Sequence, residues 1–234
     1  MSYAESIGLG QNLVSYKRHL LEYWKCDESS GNLTGEVQGL VLTAAGSPSY
    51  SQTLANGLTG IRINTSGTDR FRLADVSWAP RSAFTIAFWY DDDGIGEDSN
   101  CFLSFSDGSA RFNVSGTNGA AHQHIFDGST RTLSGAINFG DDAAHLFVYC
   151  RESSMGGYFA YFDNAYGLQV TSASGKDLRA LTNFSIAGDA FASNGGIRGQ
   201  YAHIAIWDTI LSESALTELY NSGSGADPMT GLSL

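Results

Sequence analysis

Apolar and polar residues alternate with a period of two in short runs along most of the chain. The clearest run is 83–90, AFTIAFWY. Phe84, Ile86 and Phe88 fall on one side of it, and Thr85, Ala87 and Trp89 on the other. Both sides are largely apolar, so the run predicts a strand covered on both faces. Residues 199–207 repeat the pattern, with Tyr201, His203, Ala205 and Trp207 alternating with Ala202, Ile204 and Ile206. A change of period follows. Ser212 is a good N-cap, Glu213 places a negative charge in the first helical turn, and Leu216, Leu219 and Tyr220 stand at i, i+3 and i+4. Gly223 is positioned to stop this helix. A helix this short is unstable alone and must lean on a sheet.

Further short strands are predicted at 20–25, 40–43, 60–64, 69–73, 101–105, 110–114, 122–126, 145–150, 157–162 and 183–187, with glycine-rich and polar turns between them. About a dozen short strands without a long helix or an internal repeat predict a sandwich. The expected fold is all-β: an antiparallel jelly-roll β-sandwich with one short C-terminal helix. Residues 1–19 read as an N-terminal arm, 20–221 as the sandwich, and 222–234, rich in Gly and Ser with Pro228, as a loose C-terminal tail.

Composition adjusts this picture in a few places. At 234 residues, 42% hydrophobic and 12% aromatic, the chain can bury a large core. The 28 glycines against 3 prolines suit tight turns. A net charge of −11 and the lack of a Lys/Arg cluster argue against nucleic acid as a partner. Cys26, Cys101 and Cys150 are too few and too widely spaced for a disulfide framework or a zinc site. They are expected to pack as small apolar side chains, with one disulfide left open. No apolar run is long enough to span a membrane. The N-terminal residues carry no signal-peptide pattern, and without export the sequons at Asn32, Asn64, Asn113 and Asn183 carry little weight.

Candidate chemistry is sparse. Asp91, Asp92, Asp93, Glu97 and Asp98 form the densest acidic cluster, around Gly94 and Gly96. Closely spaced carboxylates with glycine for the turn can supply oxygens to calcium, and the alternative is a solvated loop between strands. His122 and His124 share a strand face, but zinc would need a third ligand. Exposed aromatic faces can stack on sugars, and Trp78, Tyr158, Tyr161 and Tyr166 are the candidates. A glycoside hydrolase needs two opposed carboxyl groups, and no strand carries alternating acids. A serine nucleophile elbow, a metalloprotease helix motif and a phosphate-binding glycine loop are all missing.

Several stretches together resemble the laminin-G-like domains of the concanavalin A-like lectin/glucanase superfamily. They are Tyr23, Trp24, Asp27, Glu28, Ser30, Gly31 and Asn32 at the start, the 83–90 strand, His145 with the apolar run after it, Asp163 with Asn164 in a glycine's place, residues 183–188, and the strand, turn and helix of 199–221. The acidic pair usual in that last strand is replaced here by Ala202 and His203. The resemblance implies binding or architecture rather than catalysis, with rim calcium possible in the family. Combined with the absent export signal, it leads to the expectation of a phage virion protein. Such a protein would decorate a capsid or sit at a tail, with the arms docking on other virion proteins or pairing protomers, and with a possible role in surface adhesion. A lectin module for cell-surface glycan is the alternative, and a glycoside hydrolase the third reading.

Overall fold

The structure is a computed structural model that describes residues 17–65, 68–81, 83–92, 100–107, 111–117, 120–126, 141–151, 158–163, 165–170, 178–188 and 197–229. Its strands form two antiparallel sheets. The eight-stranded sheet runs β13 (Ala165–Val170), β12 (Tyr158–Phe162), β11 (Ala144–Arg151), β7 (Phe84–Asp91), β15 (Gly199–Trp207), β5 (Thr59–Ile63) and β4 (Ser49–Thr53), with β1 (Leu20–Trp24) also paired to β15. The seven-stranded sheet runs β10 (Ala120–Phe126), β9 (Arg111–Thr117), β8 (Asn100–Ser106), β14 (Asn183–Ile186), β6 (Arg70–Leu73), β3 (Val41–Ala45) and β2 (Leu33–Thr34). The all-β sandwich expected from the sequence is therefore present. The polar β4 and the glycine-interrupted β13 were not anticipated, because neither shows clear alternation of apolar residues.

The main core lies between the sheets. Phe84, Ile86, Phe88 and Tyr90 from β7 meet Phe102, Phe105, Phe112 and Phe184 from the opposite sheet. A second core covers the outer face of the eight-stranded sheet, where Ala87, Trp89, Val148, Ala205 and Trp207 are closed over by Leu211, Ala215, Leu216 and Leu219. This is why β7 and β15 are apolar on both sides: every residue of each is buried.

β15 departs from the expected alternation at one point. His203 has φ 51°, and the pairing with β7 slips between Ala202 and Ala205. This bulge inserts one residue. Tyr201 therefore shares the inner core with Ile204 and Ile206, while Ala202 joins Ala205 and Trp207 on the outer face. The grouping read from strict alternation, with Tyr201 beside Trp207, is corrected by that extra residue.

Helix α1 (Glu213–Tyr220) begins as expected, with Ser212 Oγ accepting from the Ala215 N–H at 3.3 Å. It stops earlier than Gly223. Asn221 takes the left-handed conformation, φ 45°, which asparagine tolerates better than most residues. The residues after the helix are not a loose arm as far as they are described. Gly225 and Ala226 donate back to Tyr220 O and Leu219 O, and Ala226 and Pro228 line one small cavity together with Trp89 and Trp207. Lys17 Nζ donates to Met229 O at 2.8 Å, so the two described ends of the chain meet. The rest of the expected arms, 1–16 and 230–234, lies outside the described residues. All three cysteines are buried and free, and burial pushes the Cys150 thiol up to about 12.

Candidate functional site

The outer face of the seven-stranded sheet carries the polar groups that the core excludes. Leu42, Phe71, Phe184, Ile186, Leu103, Phe105, Phe112 and Val114 point into the main core, so the residues between them point outward. Cross-strand register aligns these outward positions in one row. Thr43 pairs with Arg72, Arg72 with Ser185, Ser185 with Ser104, Ser104 with Asn113, and Asn113 with His124. These register positions lie on six strands, of which β8, β9 and β10 follow one another in the chain.

The middle of the row is closed over, with Ser104 and Ser185 fully buried. Ser104 Oγ lies 3.0 Å from Ser185 Oγ, and both hydroxyls reach the Gly188 carbonyl. The residues on either side of this closed stretch differ from it. Asn113 is 7% exposed, and its Oδ1 has no hydrogen-bond partner among the described residues. A buried amide oxygen without a donor costs about 1–3 kcal/mol, which a bound donor would recover. Arg72 is half-buried. Its Nη2 reaches Asn183 Oδ1 at 3.5 Å, and it has no carboxylate partner among the described residues. Arg72 and Asn113 stand three strands apart, about 14 Å at the usual inter-strand spacing. Sequence reasoning passed over both, although the Arg70–Phe71–Arg72 alternation marked the arginines as outward.

The residues singled out from sequence are not brought together at this face. Trp78 is 9% exposed and packs in the main core against Trp24, Phe105 and Phe184, with its indole N–H donated to Asp75 O at 2.8 Å. Tyr161 is equally buried, but on the other side of the eight-stranded sheet in the second core. It pairs with Tyr166, while Tyr158 pairs with Arg151 and Val170. Trp78 and Tyr161 are held in separate cores because the eight-stranded sheet stands between them. Of the acidic cluster, Asp91 and Asp92 are buried, and Asp91 Oδ2 accepts from the Ala55 N–H at 2.8 Å. Asp93, Glu97 and Asp98 lie outside the described residues. Among the described residues no group of three His, Cys, Asp or Glu could hold a metal ion. His122 and His124 occupy register positions opposite Ser115 and Asn113.

Other buried acids serve the fold. The Glu22 carboxylate accepts backbone N–H groups from Tyr23, Val37, Gln38 and Leu40, and a Cβ on Gly35 would come within 2.2 Å of it. Asp69 ties Ser47, Asn64 and Thr65 in the same way. His145 is held between two acids, with Nδ1 2.5 Å from Asp163 Oδ2 and Nε2 2.8 Å from Asp141 Oδ1. Burial by itself lowers the pKa of this imidazole, but the hydrogen bonds to Asp163 and Asp141 outweigh it and leave it raised. The same contact holds the Asp141 carboxyl below its ordinary value. The space between those two carboxylates is filled by the ring.

By sequence, no family model and no curated protein matches the chain. Solved structures match its fold. The binding domain of botulinum neurotoxin DC in complex with rat synaptotagmin II aligns with a TM-score of 0.68 at 9% identity, covering 89% of this chain and 52% of that one. The same domain in complex with SialylT gives 0.68 at 8%, covering 88% and 51%. Domain 4 of a GH43 extracellular arabinanase from Geobacillus stearothermophilus, in complex with arabinotriose, gives 0.66 at 13%, covering 85% and 97%. The chain thus spans about half the length of the toxin binding domains and nearly the whole of the arabinanase domain. At these identities the likeness defines the architecture, a two-sheet antiparallel β-sandwich.

Proposed function

We propose that the chain is a laminin-G-like binding module, without a catalytic role, that holds an oligosaccharide on the outer face of its seven-stranded sheet. The observation that carries this reading is the buried, partnerless Oδ1 of Asn113 in a row of polar side chains. Sugar hydroxyls are donors of the kind it lacks. The strands of this sheet contribute no Asp or Glu, so they supply no carboxyl pair for hydrolysis. The solved structures with arabinotriose and SialylT support a glycan as the ligand class. A glycan array tests the reading: retained hits that vanish in Asn113→Ala support it, and an array without hits ends it.

A second reading places the chain in a virion, docked on capsid or tail proteins or on another copy of itself. It is favoured by the Lys17–Met229 contact, which brings the roots of both proposed arms to one place. Its test is co-sedimentation with purified virions, to be lost when residues 1–16 are removed. Binding that survives this truncation counts against the arms. Calcium at the 91–98 loop belongs to the same proposal, as a rim element near the end of β7.

A further inference from the structure

We infer that residues 224–229 form an acid-released strap, with His203 as the group that senses pH. This goes beyond the binding reading above and does not depend on it. The strap follows helix α1 and is tied down by few bonds. Gly225 N–H donates to Tyr220 O at 3.2 Å, Ala226 N–H to Leu219 O at 3.0 Å, and Lys17 Nζ to Met229 O. It packs closely where it touches the sheet: Gly225 has φ 69°, and a Cβ there would come within 3.0 Å of Trp89 Nε1. Ala226 and Pro228 line a cavity of about 10 Å³ with His203, Trp89, Trp207 and Leu219, about the room that one water needs.

His203 sits at the β15 bulge and is buried. Its Nδ1 lies 3.5 Å from Ala226 O, the far limit of a hydrogen bond, and its ring meets that of Tyr23 edge-on at 5.7 Å. Its Nε2 has no hydrogen-bond partner among the described residues. The neutral ring suits this setting, with Nδ1–H donated to the Ala226 carbonyl. The imidazolium does not, because it adds a second N–H without an acceptor and exchanges its hydration for one long hydrogen bond. The titratable and charged groups around the ring are Tyr23 and Lys25 of β1, Asp27 just after β1, and Asp227 of the strap itself. Strands β7 and β11 and helix α1 present only Ala87, Trp89, Leu146 and Leu219 to the cavity. Burial lowers the pKa of the ring and Lys25 adds to this, while the Ala226 carbonyl, Asp227 and Asp27 offset only part of it. Lifting the strap hydrates the ring, so each proton taken up pulls the strap towards its open position. A histidine lowered in the closed state favours closure above its ordinary value, about 6.5, and that preference is lost as pH falls below it. With the open ring at its ordinary value, the opening constant rises by up to about 30-fold between pH 8 and pH 5.

Hydrogen exchange read by mass spectrometry at pH 7.5 and 5.0 tests this, with rates normalised for the intrinsic pH dependence of amide exchange. In the wild type, exchange in 224–229 is expected to speed up by about three-fold or more at pH 5.0, while that of β7 stays unchanged. His203→Asn substitutes a residue that tolerates positive φ and does not titrate, so its strap should exchange at one rate at both pH values. A wild-type strap that exchanges equally at the two pH values overturns the inference, and so does a His203→Asn strap that still speeds up in acid. Strap and β7 accelerating together also overturn it, because that is global unfolding and not local release. If His203→Asn does not fold, the wild-type comparison of strap against β7 decides by itself.

Discussion

The Asp141–His145–Asp163 cluster makes a prediction whose sign is set by geometry. A neutral imidazole has one N–H and one lone pair, so it can donate to one carboxylate and must repel the other. With acids at 2.5 and 2.8 Å from its two nitrogens, His145 is complete only as the imidazolium. The cluster clasps the start of β11 to the turn after β12, where Leu146 N–H also donates to Asp163 Oδ1 at 2.9 Å. His145→Gln removes the charge, and its single amide NH2 can donate to only one of the two carboxylates while its Oε1 faces the other. The contact with Asp163, whose side chain is 24% exposed, is worth about 1.5–3 kcal/mol as a charge-assisted hydrogen bond. The contact with Asp141, 42% exposed, adds at most about 1 kcal/mol because solvent screens it. Their sum of roughly 3 kcal/mol corresponds to a fall in Tm of about 6–12 °C for a chain of this size.

The pH dependence of that loss follows from the two shifts. A histidine whose folded pKa is raised contributes its full stability below the unfolded value, about 6.5, and loses it as pH climbs through the folded value. The lowered Asp141 contributes above its own unfolded value and loses that contribution as pH falls through the folded one. The gap between wild type and His145→Gln should therefore be widest between about pH 4 and 6.5 and narrow towards pH 9. Urea denaturation of both proteins at five or six pH values measures it. A gap that stays flat from pH 5.5 to 9, or widens with rising pH, would refute the imidazolium assignment.

Trp207→Ala should cost about 3–5 kcal/mol, because a fully buried indole leaves the second core with a large cavity. Trp207→Phe should cost much less in the same urea titration, since the indole N–H has no partner among the described residues to lose. Ser212→Ala should lose about 1 kcal/mol by removing the helix cap, read as a lower urea midpoint with an unchanged slope. Calcium held at the 91–98 loop with a Kd of about 0.1 mM, as in extracellular modules, would add about 1.4 kcal/mol at 1 mM. A melting temperature that is the same in calcium and in EDTA would remove it.

The sequence alone determined what depends on near neighbours along the chain. Alternation in 83–90 marked β7 with the correct faces, and the Ser212 cap with Leu216 and Leu219 marked the helix and its buried side. These signals are local: period, capping chemistry and turn residues act over a few positions. The tertiary structure decided whatever depends on which strands become neighbours. One inserted residue at His203 exchanged the faces of Tyr201 and Ala202, and alternation counted along a single strand carries no sign of it. Trp78 and Tyr161 are aromatic and suited to stacking, yet each was drawn into a core by the apolar surface already there. The polar row from Thr43 to Asn113 takes its order from hydrogen-bonded register, which sets Thr43, Arg72, Ser185 and Ser104 side by side although they lie tens of residues apart in the chain. Composition revealed the excess of acid. Only the pairing of the strands showed that one sheet is free of it.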